Sequence, residues 1–421
     1  MIKEAFLKYL NRNSFIKNVA TLATGSVISQ AIVVLVAPIL TRYYPASSFG
    51  LLSLFTSTSV FLAVITTGRY ELVIPMPKRD SSAIAIIALI VRIATIVSLF
   101  YLISLFIIYK FGFIDVEILK NKTLFLSPLY IFLLGIFSAF GYWLQRKLKY
   151  KELAISNAIQ AISTAISSVF FGLFGILETG MILSLIIGVI CSILYIFRQT
   201  KFIFKLNYST KYIRKVAYKY SSFPKYLILS DLSLAASQQF VPIFFSFLFS
   251  IKVLGYYALA NRFLRLPVIV LASSISNVYK NELIAVANDP LKTKQLFRYT
   301  LKKLVIISAG VLLVSFSTIP WAFTFFFGEE WRTSGEMAKI LLFIILSEFI
   351  AIPLNSIFYI KGKQKVYMNI QLVLLALSLL SLYLGKEIFN SPYYSLVLLA
   401  CVTVIVNFLS IILSSKLLNK Q

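Results

Sequence analysis

The sequence contains no histidine, only two cysteines and only 15 acidic residues among 421. Without histidine there are no imidazole metal sites, no Ser-His-Asp or Cys-His catalysis and no histidine proton relay. Cys191 and Cys401 both lie in apolar runs, so neither a disulfide framework nor a cysteine metal site is expected. The sequence also has no GxxxxGK[ST] phosphate loop, which excludes ATP hydrolysis by that route.

Apolar and basic residues dominate the composition instead. Hydrophobic residues make up 59% of the chain and charged residues 13%, whereas soluble domains contain about 25% charged residues. The mean hydropathy is +0.88. The 41 Lys and Arg residues leave a formal charge of +26, which in a soluble protein would suggest nucleic acid. Because the apolar runs are long, membrane topology explains the charge better, and no nucleic-acid partner is expected.

Twelve apolar stretches are each near the length of about 20 residues that a helix needs to cross a bilayer. The predicted spans are 19–40, 49–68, 83–109, 123–144, 153–175, 180–197, 226–249, 254–279, 304–327, 337–360, 366–385 and 393–415. Residues 1–18, which precede the first span, are basic and amphipathic and do not have the pattern of a cleaved signal peptide. The sequence therefore predicts an all-α integral membrane protein with about twelve transmembrane helices.

The distribution of Lys and Arg gives an independent test of this helix count, because both residues accumulate in cytoplasmic loops. With the amino terminus inside, thirty of the 41 basic residues fall in inward segments and eight in outward loops. The remaining three, Arg92, Arg262 and Arg265, fall within spans. An error of one in the helix count would invert every later loop, so both termini are predicted to be cytoplasmic.

The longest inward connection, residues 198–225, lies near the middle of the chain. This position predicts two six-helix lobes, with helices 1–6 in residues 1–200 and helices 7–12 in residues 201–421. A weak internal echo agrees with two related halves. Pro38 stands 12 residues before Gly50, and Pro242 stands 13 residues before Gly255.

Charged residues inside spans are the first candidates for function, because one at a helix centre costs about 2.5–3.5 kcal/mol on insertion scales. Arg262 and Arg265 are three residues apart, on one helical face, just before Pro267. Two guanidinium groups there could donate to a phosphate or a diphosphate. In the alternative interpretation, one of them pairs with Asp231 or Glu348 and stabilises helix packing.

The other charged candidates also have two readings each. Asp231 and Glu348 could bind a coupling H⁺ or Na⁺, or could form a salt bridge to Arg92 or to the arginine pair. Arg92 itself could face a cavity or serve as an ion-pair partner. Arg69, at the end of the second span, could meet an anionic headgroup or anchor to lipid phosphates. Arg42, between the first two spans, could lie at the outer mouth or act as an interfacial anchor.

Several short motifs follow one another in a fixed order. They are Ala37-Pro38-Ile39-Leu40-Thr41-Arg42-Tyr43-Tyr44-Pro45, Gly68-Arg69-Tyr70-Glu71, Pro75-Met76-Pro77-Lys78, Ser222-Phe223-Pro224-Lys225-Tyr226 and Leu254-Gly255-Tyr256-Tyr257-Ala258-Leu259-Ala260-Asn261-Arg262. In order and spacing these motifs resemble bacterial polysaccharide flippases. Those are the Wzx-type O-antigen and capsule-unit transporters of the multidrug/oligosaccharidyl-lipid/polysaccharide exporter superfamily.

The resemblance implies that the protein moves an undecaprenyl-diphosphate-linked oligosaccharide from the cytoplasmic to the outer leaflet of a bacterial inner membrane. It implies two lobes around a central cationic cavity, which open alternately to each side. Membrane lipids, a polysaccharide polymerase and a chain-length regulator are the implied partners. No cofactor is implied, and the coupling ion, H⁺ or Na⁺, is left open.

The family motifs place some of the candidate residues and not others. Arg42, Arg69, Arg262 and Arg265 match basic positions of the motifs, whereas Arg92, Asp231 and Glu348 match none. Two other functions compete. A multidrug or small-cation exporter of the same superfamily would need a cavity of net negative charge. A membrane glycan polymerase or ligase would need a sizeable outward loop, which the predicted topology lacks, so catalysis is not expected.

Overall fold

A computed structural model describes residues 25, 27–111, 122–200, 209–286 and 289–418 of the chain. Every regular element in these residues is a helix. The α-helices are α1 Val27–Tyr43, α2 Ala46–Thr66, α3 Asp80–Phe111, α4 Ser127–Arg146, α5 Tyr150–Leu173, α6 Gly180–Gln199, α7 Thr210–Lys219, α8 Ser222–Leu248, α9 Ile251–Ala285, α10 Pro290–Phe327, α11 Arg332–Leu354, α12 Ser356–Ile360, α13 Gln364–Phe389 and α14 Pro392–Leu418. Short 3₁₀ helices occupy Tyr70–Val73, Lys122–Leu126 and Glu329–Trp331.

Each of the twelve predicted spans corresponds to a helix, although residues 19–24 and 26 of the first span lie outside the described residues. Ten helical segments of the described chain are long and apolar enough to cross a membrane, and α1 is a shorter apolar helix. The prediction of an all-α, multi-pass membrane protein is therefore confirmed. The cytoplasmic position of both termini stays a prediction, and so does the division at residues 200 and 201.

Helix α10 begins fourteen residues before the predicted span at residue 304. Asp289 caps it, since its side chain accepts hydrogen bonds from the backbone N–H groups of Leu291 and Lys292, both at 3.1 Å. Proline at the first helical position suits this start, because its missing N–H would have no partner inside the helix. The first turns are amphipathic, with Phe297 buried, so the helix extends beyond its apolar run.

The basic connection 198–225, predicted as a loop, contains helix α7. Ser209 caps α7 by accepting a hydrogen bond from the backbone N–H of Tyr212 at 3.3 Å. Ile213 and Val216, three residues apart, are buried and join an apolar cluster that also contains Trp143 of α4. Two apolar residues at helical spacing therefore mark the side of α7 that packs on its neighbours.

The described chain divides into two compact units. The first comprises the described residues up to Tyr43 together with 58–232, and the second comprises 44–57 and 233–418. In the first unit, the core lies among α3, α4, α6 and α7. In the second unit, α11 is the central helix and packs against α9, α10 and α14.

Glycine allows a close helix crossing in the second unit. A Cβ atom on Gly50 of α2 would overlap the carbonyl oxygen of Ile251, and one on Gly255 of α9 would overlap the carbonyl oxygen of Ala46. The first turns of α2 and α9 therefore meet backbone to backbone, which only glycine permits. These are the same two glycines that the sequence echo aligns.

In the second unit, polar side chains join α14 to α11 and to Asn355, the residue that follows α11. The side-chain amide of Asn407 donates to the hydroxyl of Ser347 at 2.9 Å. Asn355 is the C-cap of α11, and its side-chain oxygen accepts hydrogen bonds from Ser410 and Ser414 at 3.2 and 3.4 Å. Such bonds are a main source of specific helix association in a bilayer, where apolar side chains gain little by leaving lipid.

Candidate functional site

The first unit holds a three-residue charged group that we call the Arg69 cluster: Arg69, Glu71 and Asp231. The guanidinium of Arg69 donates from Nε to Asp231 Oδ2 at 2.5 Å and from Nη1 to Glu71 Oε1 at 2.9 Å. Asp231 lies in α8, whereas Arg69 and Glu71 lie in the turn and 3₁₀ helix after α2. One guanidinium thus bridges two carboxylates from separate elements.

The backbone at Gly68 and Arg69 has positive φ angles. Arg69 has φ 59° and ψ 14°, in the left-handed region, and Gly68 before it has φ 56°. A non-glycine residue in this region costs about 1–2 kcal/mol, and such strain is often found at functional sites. The pairing with two carboxylates holds the arginine in this conformation.

Burial separates the members of the Arg69 cluster. The Glu71 side chain is 2% exposed, whereas those of Arg69 and Asp231 are 26% and 23% exposed. Within the described residues, the second oxygen of Glu71, Oε2, is buried and has no hydrogen-bond partner. Burial lowers the pKa of Arg69, and pairing with Asp231 and Glu71 raises it by more, so the group stays cationic.

The second unit holds a different charged group, the Arg265 cluster: Arg262, Arg265 and Glu348. Arg265 of α9 pairs with both oxygens of Glu348 of α11, with Nη2 at 3.1 Å from Oε1 and Nη1 at 3.0 Å from Oε2. Its Nε donates to the side-chain oxygen of Asn261, one turn earlier, at 3.2 Å. This bidentate geometry gives each oxygen of Glu348 a donor from Arg265 and orients the guanidinium plane.

Arg262 lies one turn before Arg265 on α9, and its side chain is exposed. Residues three apart on a helix share a face, so Arg262 adds a second cation to the face that carries Arg265. Counted by formal charge, the Arg265 cluster has two guanidiniums and one carboxylate, whereas the Arg69 cluster has one guanidinium and two carboxylates.

The remaining two candidates lie apart from these clusters. Arg92 of α3 is exposed, and its Nη1 donates to the hydroxyl of Thr210, the first residue of α7, at 3.4 Å. The side chain thereby reaches from a span toward a helix that lies outside the spans. Arg42 is exposed in the last turn of α1.

The structure shows which ion pairs form among these candidates, whereas their roles in cargo or ion binding stay predictions. Glu348 pairs with Arg265, as one interpretation proposes, and Asp231 pairs with Arg69 rather than with Arg92 or the α9 arginines. Sequence reasoning missed Glu71 as a site residue. Its signal was the spacing of Arg69 and Glu71 directly after a glycine, which brings an acid and a base together at a turn.

Comparison with known proteins places the sequence in a family. The sequence matches the family described as "Polysaccharide biosynthesis protein" over residues 39–336. A comparison with curated protein sequences finds no match.

Solved structures share the fold at low sequence identity. One is described as the lipid II flippase MurJ in an inward closed conformation, with a TM-score of 0.72 at 14% identity, over 94% of this chain and 87% of that one. A second is an inward-facing MATE family multidrug resistance transporter of the MOP superfamily, with a TM-score of 0.72 at 12% identity, over 93% and 96%. A third is a MOP superfamily transporter from Pyrococcus furiosus, with a TM-score of 0.59 at 11% identity, over 96% and 97%, whose binding pocket is described as having reverse polarity.

The helices and these structural matches define a multi-pass membrane protein with the two-lobed fold that MurJ and the MATE transporters share. The family match covers well over half of the chain, and it narrows the class further. The chain belongs to the polysaccharide biosynthesis protein family.

Proposed function

We propose that the protein moves an undecaprenyl-diphosphate-linked oligosaccharide repeat unit, of O-antigen or a related surface polysaccharide, between the leaflets of a bacterial inner membrane. The direction is from the cytoplasmic to the outer leaflet, by alternating access. Membership of the polysaccharide biosynthesis family and the shared fold with a lipid II flippase support this proposal. The outer-leaflet product would be the substrate of a polysaccharide polymerase, whose product length a chain-length regulator would set.

The observation that carries the proposal is the face of α9 with Arg262 and Arg265. Arg265 is hydrogen-bonded to Glu348 and Asn261, and Arg262 is exposed one turn away. Glu348 and Asn261 leave two N–H groups of Arg265 for a cargo, and the guanidinium of Arg262 adds planar donors that an ammonium lacks, so both can bind oxygens of one diphosphate. We assign the diphosphate of the cargo to this face, with the oligosaccharide and the lipid tail extending away from it.

Deletion of the gene tests the proposed function. Lipid-linked repeat units should accumulate in the cytoplasmic leaflet, and surface polysaccharide should be lost. If single repeat units still reach the surface, the protein acts after translocation, as a polymerase or ligase would. If surface glycan is unchanged and sensitivity to lipophilic cations rises, the protein is a cation exporter.

Substitution of the α9 arginines tests the assigned face. Arg262→Ala/Arg265→Ala should abolish complementation of the deletion, and the double Lys variant should restore it only in part, since lysine lacks the planar fork. Arg298→Ala/Lys302→Ala, which removes two exposed charges from α10, is the matched control and should complement fully.

A further variant separates cargo binding from folding. Arg265→Ala alone leaves Glu348 without its partner, whereas Arg265→Ala/Glu348→Ala removes the pair together. The double variant should reach the membrane at normal abundance and still fail to complement. Full complementation by this variant would show that the pair only stabilises helix packing.

Transport against a gradient needs an energy source, and we propose a coupling ion, H⁺ or Na⁺, at the Arg69 cluster. Its two carboxylates exceed its one guanidinium, and Glu71 Oε2 is buried without a described partner. Glu71→Gln and Asp231→Asn should each abolish the response of transport in vesicles to a proton or sodium gradient. Glu330→Gln, which removes an exposed carboxylate outside both clusters, should retain that response.

A further inference from the structure

Helix α7 carries a basic surface that the proposed transport reaction does not use. Its exposed side chains include four basic residues and one tyrosine: Lys211, Arg214, Lys215, Tyr218 and Lys219. The sequence contains no acidic residue from 179 to 230, so no acid of this segment offsets these charges. A cationic surface of this kind fits a partner with a high density of negative charge.

The opposite side of α7 is already covered by protein. Ile213 and Val216 are buried in the apolar cluster of the first unit, at 3% and 7% exposure. Tyr70 donates its hydroxyl to the carbonyl oxygen of Ala217 at 3.1 Å. The hydroxyls of Tyr212 and Ser82 are hydrogen-bonded at 2.9 Å. Because its apolar side packs on the unit, α7 cannot insert that side into a bilayer as a free amphipathic helix does.

The contacts of α7 also place it at one end of the spans. Ser82 is the third residue of α3, whereas Trp143 and Ile196, which share its apolar cluster, lie in the last turns of α4 and α6. Three spanning helices therefore begin or end beside α7. A helix at that level, with its charges pointing away from the unit, lies where lipid headgroups lie.

We propose that the exposed face of α7 binds the phosphate headgroups of anionic lipids, such as phosphatidylglycerol or cardiolipin, without inserting between their acyl chains. Each basic residue near an anionic membrane surface strengthens binding by about fivefold, and salt screens the attraction. Occupancy by lipid would hold α7 on the first unit, beside the turn that carries Arg69. The inference concerns membrane lipid rather than cargo, so it stands or fails separately from the proposed function.

The test uses the purified full-length protein in neutral detergent, with thermal melting followed as phosphatidylglycerol or phosphatidylcholine is added. Phosphatidylglycerol should raise the melting temperature, phosphatidylcholine should not, and 0.5 M salt should remove most of the rise. In Lys211→Gln/Arg214→Gln/Lys215→Gln/Lys219→Gln, the apparent affinity for phosphatidylglycerol should fall by more than tenfold. Melting without lipid should stay unchanged, because the four side chains are exposed.

The matched control removes the same number of charges from α10: Lys294→Gln/Arg298→Gln/Lys302→Gln/Lys303→Gln. It should retain the wild-type response to phosphatidylglycerol. An equal loss in both variants would show a response to total charge and would overturn the assignment to α7. So would a rise that persists in high salt, or one that inorganic phosphate alone produces. Saturable binding of an RNA oligonucleotide in place of lipid would also overturn it.

Discussion

The Arg69 cluster and the Arg265 cluster use the same residue types in opposite proportions. In the first unit one guanidinium serves two carboxylates, and one carboxylate oxygen is left buried without a described partner. In the second unit one carboxylate is satisfied by one guanidinium, and a further arginine lies on the same helical face. The first cluster has an excess of carboxylates and the second an excess of guanidiniums. The proposed function assigns the coupling cation to the first and the anionic cargo to the second.

The largest effect should follow removal of the shared guanidinium. Arg69→Ala leaves Glu71 and Asp231 without their bridge, one of them almost fully buried, and should lower the free energy of unfolding by about 3–5 kcal/mol. Arg265→Ala leaves only Glu348 without its partner. Because Glu348 is 25% exposed, this variant should lower the free energy of unfolding less. Thermal melting in detergent measures both. Equal losses would contradict the contrast between the clusters.

The pairwise coupling should be larger in the second unit. A double-mutant cycle of Arg265→Ala and Glu348→Ala should give a coupling energy within about 0.5–3 kcal/mol, because the two side chains form a closed bidentate pair. The cycle of Arg69→Ala and Asp231→Ala should give a smaller value, since Glu71 also binds Arg69. Arg298→Ala with Glu348→Ala provides the additive baseline. A larger coupling in the first unit would reverse the comparison.

The relative stability of a glycine and an alanine variant should be opposite at residues 69 and 265. At residue 69 the backbone is left-handed, so Arg69→Gly should be more stable than Arg69→Ala by about 1 kcal/mol. At residue 265 the backbone is helical, so Arg265→Gly should be less stable than Arg265→Ala by about 1 kcal/mol. Melting of the four variants measures the sign at each site. The same sign at both would mean that residue 69 relaxes out of its observed conformation.

The smallest effect concerns the support of the Arg69 turn. Tyr70→Phe removes the hydrogen bond to the carbonyl oxygen of Ala217 and should lower the free energy of unfolding by about 1 kcal/mol. Tyr218→Phe, at an exposed position of the same helix α7, should leave it unchanged. Hydrogen exchange of α7 amides should rise in the first variant only. Unchanged exchange in Tyr70→Phe would show that α7 does not depend on this bond.

Most of the fold follows from local sequence pattern, and most of the site does not. Apolar runs predict the spanning helices because each run must fill the bilayer thickness. Helix α7 was missed because only Ile213 and Val216 mark its buried side, among many charges. Arg69 and Asp231 are 162 positions apart in the sequence, so their ion pair depends on which helices become neighbours. Spacing along the chain carries no information about that choice.

The hydrogen bonds of Asn355 and Ser347 to α14 have a consequence for biosynthesis. Helix α14 is synthesised after α11, and its Asn407, Ser410 and Ser414 are the partners of two polar side chains made earlier. Until it is inserted, those side chains lack these partners within the bilayer, where unsatisfied polar groups are costly. A chain truncated before Pro392 would therefore remain an unfinished unit. Insertion of α14 is therefore the step that gives Ser347 and Asn355 their partners, and the second unit closes only then.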